Sequence, residues 1–216
     1  MNLFVPAARH LQMNNPLIKI CGVRTPELAY AAGIAGANFI GVVFHPQSRR
    51  YVNLNMARLI AHAAKDAGAI PVAVFVEHTA LEMQMICDTT GIEVVQLHGC
   101  VSRQQQHKLP VSYQRIYVDD IDSQCPSCEV GDPERDYLLF DNPDPGKGIP
   151  FDWDQFHYAG PYRLGLAGGL TSKNVAIAIK KFHPALVDVS SGVENLSGEK
   201  DIALIKQFIG VCHGTN

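Results

Sequence analysis

Pro71-Val72-Ala73-Val74-Phe75-Val76 is an unbroken apolar run of strand length, and residues 80–90 follow it with helical period before Gly91 stops them. A strand with no polar face suits a sheet covered on both sides. Such sheets are parallel, and a parallel neighbour is reached only through a crossover such as the helix that follows here. The run therefore predicts one strand–helix unit of a parallel α/β fold.

The same unit recurs outward in both directions. Before it stand a strand over 39–44 with a helix over about 54–67, stopped by Gly68. Earlier still, a strand over 17–21 is closed by Gly22. Thr25, Pro26 and Glu27 then open a helix with a capping side chain and a first-turn proline. It carries Leu28, Ala31, Ala32 and Ala35 and ends at Gly36. After the quoted run come strand 94–97 with a short polar helix over 102–109, and strand 114–118 with a segment rich in Asp, Ser, Pro and Cys. Strand 137–140 leads to a loop and a short helix over 151–156. Strand 163–167 with helix 172–182 and strand 186–189 with helix 201–212 complete the series. Eight strands alternating with roughly eight helices predict an α/β chain folded as a single (β/α)8 TIM barrel. A doubly wound open sheet is the competitor. The short repeat, about 25 residues, and the lack of a GxGxxG stretch after the first strand favour the barrel. The catalytic domain is expected over 17–216, and residues 1–16 are expected to be a flexible extension.

Composition narrows the class. The chain has 216 residues, 47% of them hydrophobic, and a formal charge of −3. That balance gives no basic footprint for nucleic acid, so an anionic ligand must be met by local positive groups. No apolar run approaches the roughly 18–20 residues of a membrane span, and the N-terminus lacks a signal-peptide core. Six scattered cysteines without a secreted-scaffold rhythm suggest reduced thiols and a cytoplasmic setting.

In a barrel of this kind chemistry sits at the C-terminal ends of the strands. Those ends carry Cys21, Arg49 and Arg50, Glu77 and His78, His98, Asp119 and Asp120, Asp141, Gly168-Gly169 and Ser190-Ser191-Gly192. Cys21 is either a base, if nearby cations lower its pKa, or a small buried hydrophobe. Asp141 is either a catalytic acid or a strand-end cap. The glycine-bearing loops after strands seven and eight stand where such barrels bind phosphate through backbone N–H groups. Arg49-Arg50 could grip a carboxylate through the guanidinium fork or simply be solvated. His98 reads as packing, hydrogen bonding or substrate contact. Cys125 and Cys128 have CxxC spacing without a second ligand pair, and no carboxylate–histidine cluster stands out, so no metal is expected.

Taken in order, these stretches resemble the N-(5'-phosphoribosyl)anthranilate isomerase family. The resemblance rests on Lys19-Ile20-Cys21-Gly22, Gly41-Val42-Val43-Phe44, Ser48-Arg49-Arg50-Tyr51-Val52 and Val95-Gln96-Leu97-His98-Gly99. It continues through Leu139-Phe140-Asp141, Gly146-Lys147-Gly148, Phe151-Asp152-Trp153, Leu166-Ala167-Gly168-Gly169-Leu170 and Asp188-Val189-Ser190-Ser191-Gly192-Val193-Glu194, covering about residues 17–212. It implies a cofactor-free Amadori rearrangement of a phosphoribosylated anthranilate in tryptophan biosynthesis. Asp141 would be the general acid, which needs a raised pKa near neutral pH, and Cys21 the general base. Arg50 would hold the anthranilate carboxylate, the Gly168-Gly169 and Ser190–Gly192 loops the phosphate, and His98 would contact substrate. The implied partner is a small phosphorylated molecule, acted on by a monomer or homodimer. The chain would act alone, without the fused indole-glycerol-phosphate synthase found in some organisms. One stretch departs from the family: Asn142-Pro143-Asp144-Pro145 replaces a glycine-rich sequence and should stiffen the loop after Asp141. The rivals are another phosphosugar isomerase or epimerase on the same barrel, and a phosphate-ligand-binding barrel without turnover.

Overall fold

The computed structural model describes residues 15–120, 131–142 and 156–214. Residues 1–14 of the expected extension lie outside the described residues. So do the Cys125–Cys128 pair, the loop containing Gly146-Lys147-Gly148, and residues 151–155 of the expected helix over 151–156.

Eight strands run in order: β1 (Leu17–Cys21), β2 (Phe39–Val43), β3 (Ile70–Phe75), β4 (Val94–His98), β5 (Gln114–Asp120), β6 (Tyr137–Asp141), β7 (Arg163–Leu166) and β8 (Leu186–Val189). Each pairs in parallel with the next, and β8 pairs with β1, so the sheet closes as a barrel. The described helices are α1 (Pro26–Ile34), α2 (Leu54–Asp66), α3 (Ala80–Thr90), α4 (Cys100–Gln104), α5 (Val175–Phe182) and α6 (Ile202–His213). The crossovers from β5 to β6 and from β6 to β7 contain the residues outside the description, so six α-helices are described where roughly eight were expected.

Strand alternation explains the unbroken apolar runs. One set of positions, including Phe39, Val72, Val94, Ile116, Leu139 and Leu186, fills the barrel interior. The alternate set, including Ile18, Ile20, Ile40, Val42, Phe75, Leu97 and Val187, packs outward against helix residues such as Ala32, Ile60, Met83, Val175 and Phe208. Both faces are covered, so both are predominantly apolar. The helices start where side chains cap them. Asn53 Oδ1 accepts from the Met56 amide at 2.9 Å, and Thr79 and Glu82 form a reciprocal capping box.

Two expectations need correction. The helix expected over 102–109 is instead α4 followed by a 3-10 turn, Gln106–Lys108. Gly99, at φ 89°, turns the chain directly into α4, and Ser102 and Arg103 are buried there rather than solvated. The helix expected from Ser172 begins at Val175, because Asn174 is committed to the preceding loop. Its Oδ1 accepts from the Thr171 amide at 2.7 Å, and its Nδ2 donates to Gly169 O at 2.9 Å.

Candidate active site

The C-terminal strand ends surround a cavity of about 290 Å³. It gathers Cys21, Arg50, His98, Asp141, Gly168, Gly169 and Ser190 from segments far apart in the chain. Ser191 and Gly192 adjoin it in a short 3-10 turn, Ser191–Val193, without lining it. Other strand-end candidates stand elsewhere. Glu77 is exposed, and the His78 ring lies 5.1 Å from that of Phe75. Ile116 and Val118 take the inward positions of β5, so Asp119 points outward and pairs with Arg103 at 3.1 Å.

Cys21 reaches the cavity because Ile18 and Ile20 take the outward positions of β1. The same alternation turns Lys19 inward, where it is fully buried. Lys19 Nζ donates to both Asp188 oxygens, at 3.1 and 3.0 Å, and the two residues are direct partners across the β1–β8 pairing. A methyl group on Gly41 would stand 2.8 Å from Cys21 Sγ and 3.1 Å from Lys19 Nζ. Only glycine leaves room for thiol and ammonium to meet there. Burial pulls Lys19 down, but Asp188 and Cys21 outweigh it and hold the ammonium above its ordinary value. For Cys21 the balance is reversed. Burial pushes the thiol up, and Lys19 and, more weakly, Lys200 recover only part of that shift. The lowered pKa that a base role invites in the sequence is therefore not that of this resting site.

Across the barrel, Asp141 ends β6, and its Oδ1 accepts the Asn142 amide at 2.7 Å. Gly168 and Gly169, with φ of 73° and 71°, curl the chain after β7. A methyl on Gly168 would be 2.7 Å from the Asn142 nitrogen and 3.2 Å from Asp141 Oδ1. The N–H groups of Gly168, Gly169, Ser191 and Gly192 find no acceptor among the described residues. At the rim, Arg50 donates to Glu194 from Nε at 2.7 Å and Nη2 at 3.1 Å. Arg49 meets the same carboxylate from the exposed side. Lys200 Nζ donates to Glu194 Oε1 at 2.7 Å and to Ser190 O at 2.9 Å.

The model of the N-(5'-phosphoribosyl)anthranilate isomerase family matches residues 18–211. The chain belongs to this family. Among its relatives is the N-(5'-phosphoribosyl)anthranilate isomerase of Streptococcus pneumoniae serotype 19F, 42% identical over 200 residues, covering 91% of this chain and 96% of that one. A phosphoribosylanthranilate isomerase solved in complex with reduced 1-(o-carboxyphenylamino)-1-deoxyribulose 5-phosphate is 30% identical. It superposes with a TM-score of 0.71, over 92% of this chain and 99% of that one. A structure of monomers made from the dimeric Thermotoga maritima enzyme gives 30% identity and a TM-score of 0.73, with the same coverage.

Within this isomerase-family barrel the sequence reading assigns no role to Lys19, Gln96, Asp188, Glu194 and Lys200. A signal was present. Lys19, Gln96 and Asp188 interrupt the inward positions of strands that are otherwise apolar, and a polar group there is retained against a desolvation cost. Glu194 and Lys200 follow the last strand and carry no such mark. Burial raises the Glu194 carboxyl, but hydrogen bonds from Arg50 and Lys200 overcome this and hold it at about 2. Among the described residues no group of three or more His, Cys, Asp and Glu side chains is placed to hold a metal ion.

His98 ends β4 on the cavity wall. Burial, followed by Lys19 and His45, lowers it to about 4, so its imidazole is neutral near pH 7. The unfolded chain takes up this proton first as pH falls, at about 6.5. Stability is therefore expected to decline as pH drops from about 6.5 to 4, with a slope of order 1 kcal/mol per unit from this group. Urea midpoints across that range should fall less steeply in His98→Asn than in the wild type; parallel slopes would remove His98 as the cause.

Proposed function

We propose that the chain catalyses the Amadori rearrangement of N-(5-phosphoribosyl)anthranilate to 1-(2-carboxyphenylamino)-1-deoxyribulose 5-phosphate, a step of tryptophan biosynthesis. Asp141 acts as general acid and Cys21 as general base. The observation that carries the reading is the convergence of both groups on one cavity between an amide-rich loop pair and an arginine.

The order of the barrel supplies the logic. β1 stands between β8 and β2, so Cys21 lies between the loops after β7 and β8 and the Arg50 loop after β2. The substrate carries its phosphate at one end and its carboxylate at the other. The free amides near Gly168, Gly169, Ser191 and Gly192 suit the phosphate. The Arg50 fork suits the carboxylate, which would share that guanidinium with Glu194. His98 meets the substrate as a neutral ring. Anchored at both ends, the sugar presents C2 to the sulfur, a positioning effect that can supply much of a barrier reduction.

In the reaction the Asp141 carboxyl gives its proton to the ring oxygen as the C1–O bond breaks. The nitrogen lone pair forms the C1=N bond, and the resulting iminium acidifies the C2 proton. Cys21 removes that proton as the thiolate, the electrons of the C–H bond form C1=C2, and the C1=N pair returns to nitrogen to give an enolamine. Tautomerisation delivers the ketone. Both proton carriers belong to the chain, so the scheme uses no cofactor. Lys19 and Lys200 are the cations that favour the thiolate. The test is the fluorescence of freshly generated phosphoribosylanthranilate: catalytic amounts of protein should abolish the anthranilate signal, and an unchanged decay would redirect the search to other phosphosugars.

A further inference from the structure

Gln96 is the inward residue of β4 between Val94 and His98, and only 3% of it is exposed. Its register partners on the flanking strands are Val74 and Ile116. Val74 also packs with Cys21 and Val43, so the carboxamide belongs to the ring of side chains that floors the cavity beside the thiol. It lines the cavity, yet Oε1 is buried and accepts no hydrogen bond among the described residues. A buried amide oxygen without a donor destabilises the fold, and an aliphatic side chain in this ring would not carry that cost.

We infer that Gln96 is a substrate-binding residue whose carboxamide turns to bring the enclosed Oε1 to a sugar hydroxyl at the cavity floor, beside the carbon that Cys21 deprotonates. This rests on the isomerase reading above and adds to it the recognition of the middle of the substrate. The chemistry narrows the partner. Ionised phosphate and carboxylate offer only acceptors, so neither end of the substrate can satisfy a carboxamide oxygen. The hydroxyls of the sugar chain can. A site built around such a bond rejects ligands that lack the hydroxyl more strongly than an apolar pocket rejects a changed methylene.

The test compares wild type with Gln96→Met in three measurements: affinity for the reduced carboxyphenylamino-deoxyribulose phosphate, affinity for inorganic phosphate, and the thermal midpoint. Gln96→Val, which matches the neighbouring strands, serves if the Met variant folds poorly. The expected result is reduced-product binding weaker by at least about tenfold, with kcat/KM lowered to match. Phosphate binding should stay within about twofold and the thermal midpoint should be unchanged or raised. Unchanged binding of the reduced product overturns the assignment. So does a fall in thermal midpoint with both ligands weakened in parallel, which would make Gln96 a structural residue. A wild type that converts phosphoribosylanthranilate while Gln96→Met binds normally sinks only the Gln96 assignment. A wild type that neither binds nor converts removes the isomerase reading as well.

Discussion

Cys21→Ala and Asp141→Ala should each slow the conversion of phosphoribosylanthranilate by at least about 100-fold, because each removes one of two proton transfers that no neighbour can take over. The losses should lie mainly in kcat. The anchoring groups, Arg50 and the loops after β7 and β8, are untouched, so the reduced product should bind each variant nearly as well as the wild type. Together the two substitutions should cost far less than the product of the single effects, since the groups serve one reaction. The pH profile carries further information. Burial pushes the Cys21 thiol above its ordinary value, so the base form grows as pH rises. The active form needs Asp141 protonated and Cys21 ionised together, so wild-type kcat/KM should follow a bell-shaped pH profile, and one of its limbs should vanish in Cys21→Ala. Undiminished turnover in either variant would keep the function and discard the proposed acid–base pair.

Lys19→Met should cost about 3–5 kcal/mol of unfolding free energy, the range for breaking a buried ion pair from one side. The loss arises chiefly at Asp188, which is 7% exposed and would be left without its counter-ion. Lys19→Met/Asp188→Leu should recover most of it, since a buried pair replaced by apolar side chains is often neutral. Urea unfolding at pH 7 measures both. A single variant within about 1 kcal/mol of wild type would show that the pair is not held as described. The linkage sign is that of a lysine raised in the fold. Its contribution is fully present below about pH 10.4, the unfolded value, and is lost as pH rises through the higher folded one. Alkylation of Cys21 by iodoacetamide should also slow in Lys19→Met, because Lys19 lowers the thiol against burial.

Regular elements were legible wherever the local pattern and the tertiary demand agreed. The strands around the Pro71–Val76 run could be read because both of their faces are covered. The helices at Pro26 and Ala80 could be read because Thr25 and Thr79 cap them. Reading failed where a distant partner redirects the chain. Nothing near Arg103 announces that it will turn inward toward Asp119, or near Asn174 that its amide will bind the Gly169 carbonyl. The site divides in the same way. Strand-end position picked out Cys21, His98 and Asp141, which line the cavity. It also returned Asp119, because a strand's last residue may face either side and only the count of inward positions decides. Glu194 and Lys200 were invisible because their role exists only through Arg50 and Ser190, brought near by the closure of the barrel.

The Lys19–Asp188 pair joins residues 169 positions apart, the first strand to the last. At about 5–20 residues per second, synthesis leaves Lys19 waiting roughly ten to thirty seconds for its carboxylate. Any unfinished barrel that closed over β1 in that time would enclose a lone ammonium, and the desolvation penalty opposes this. The ion pair thus ties burial of the first strand's ammonium to the arrival of the last strand.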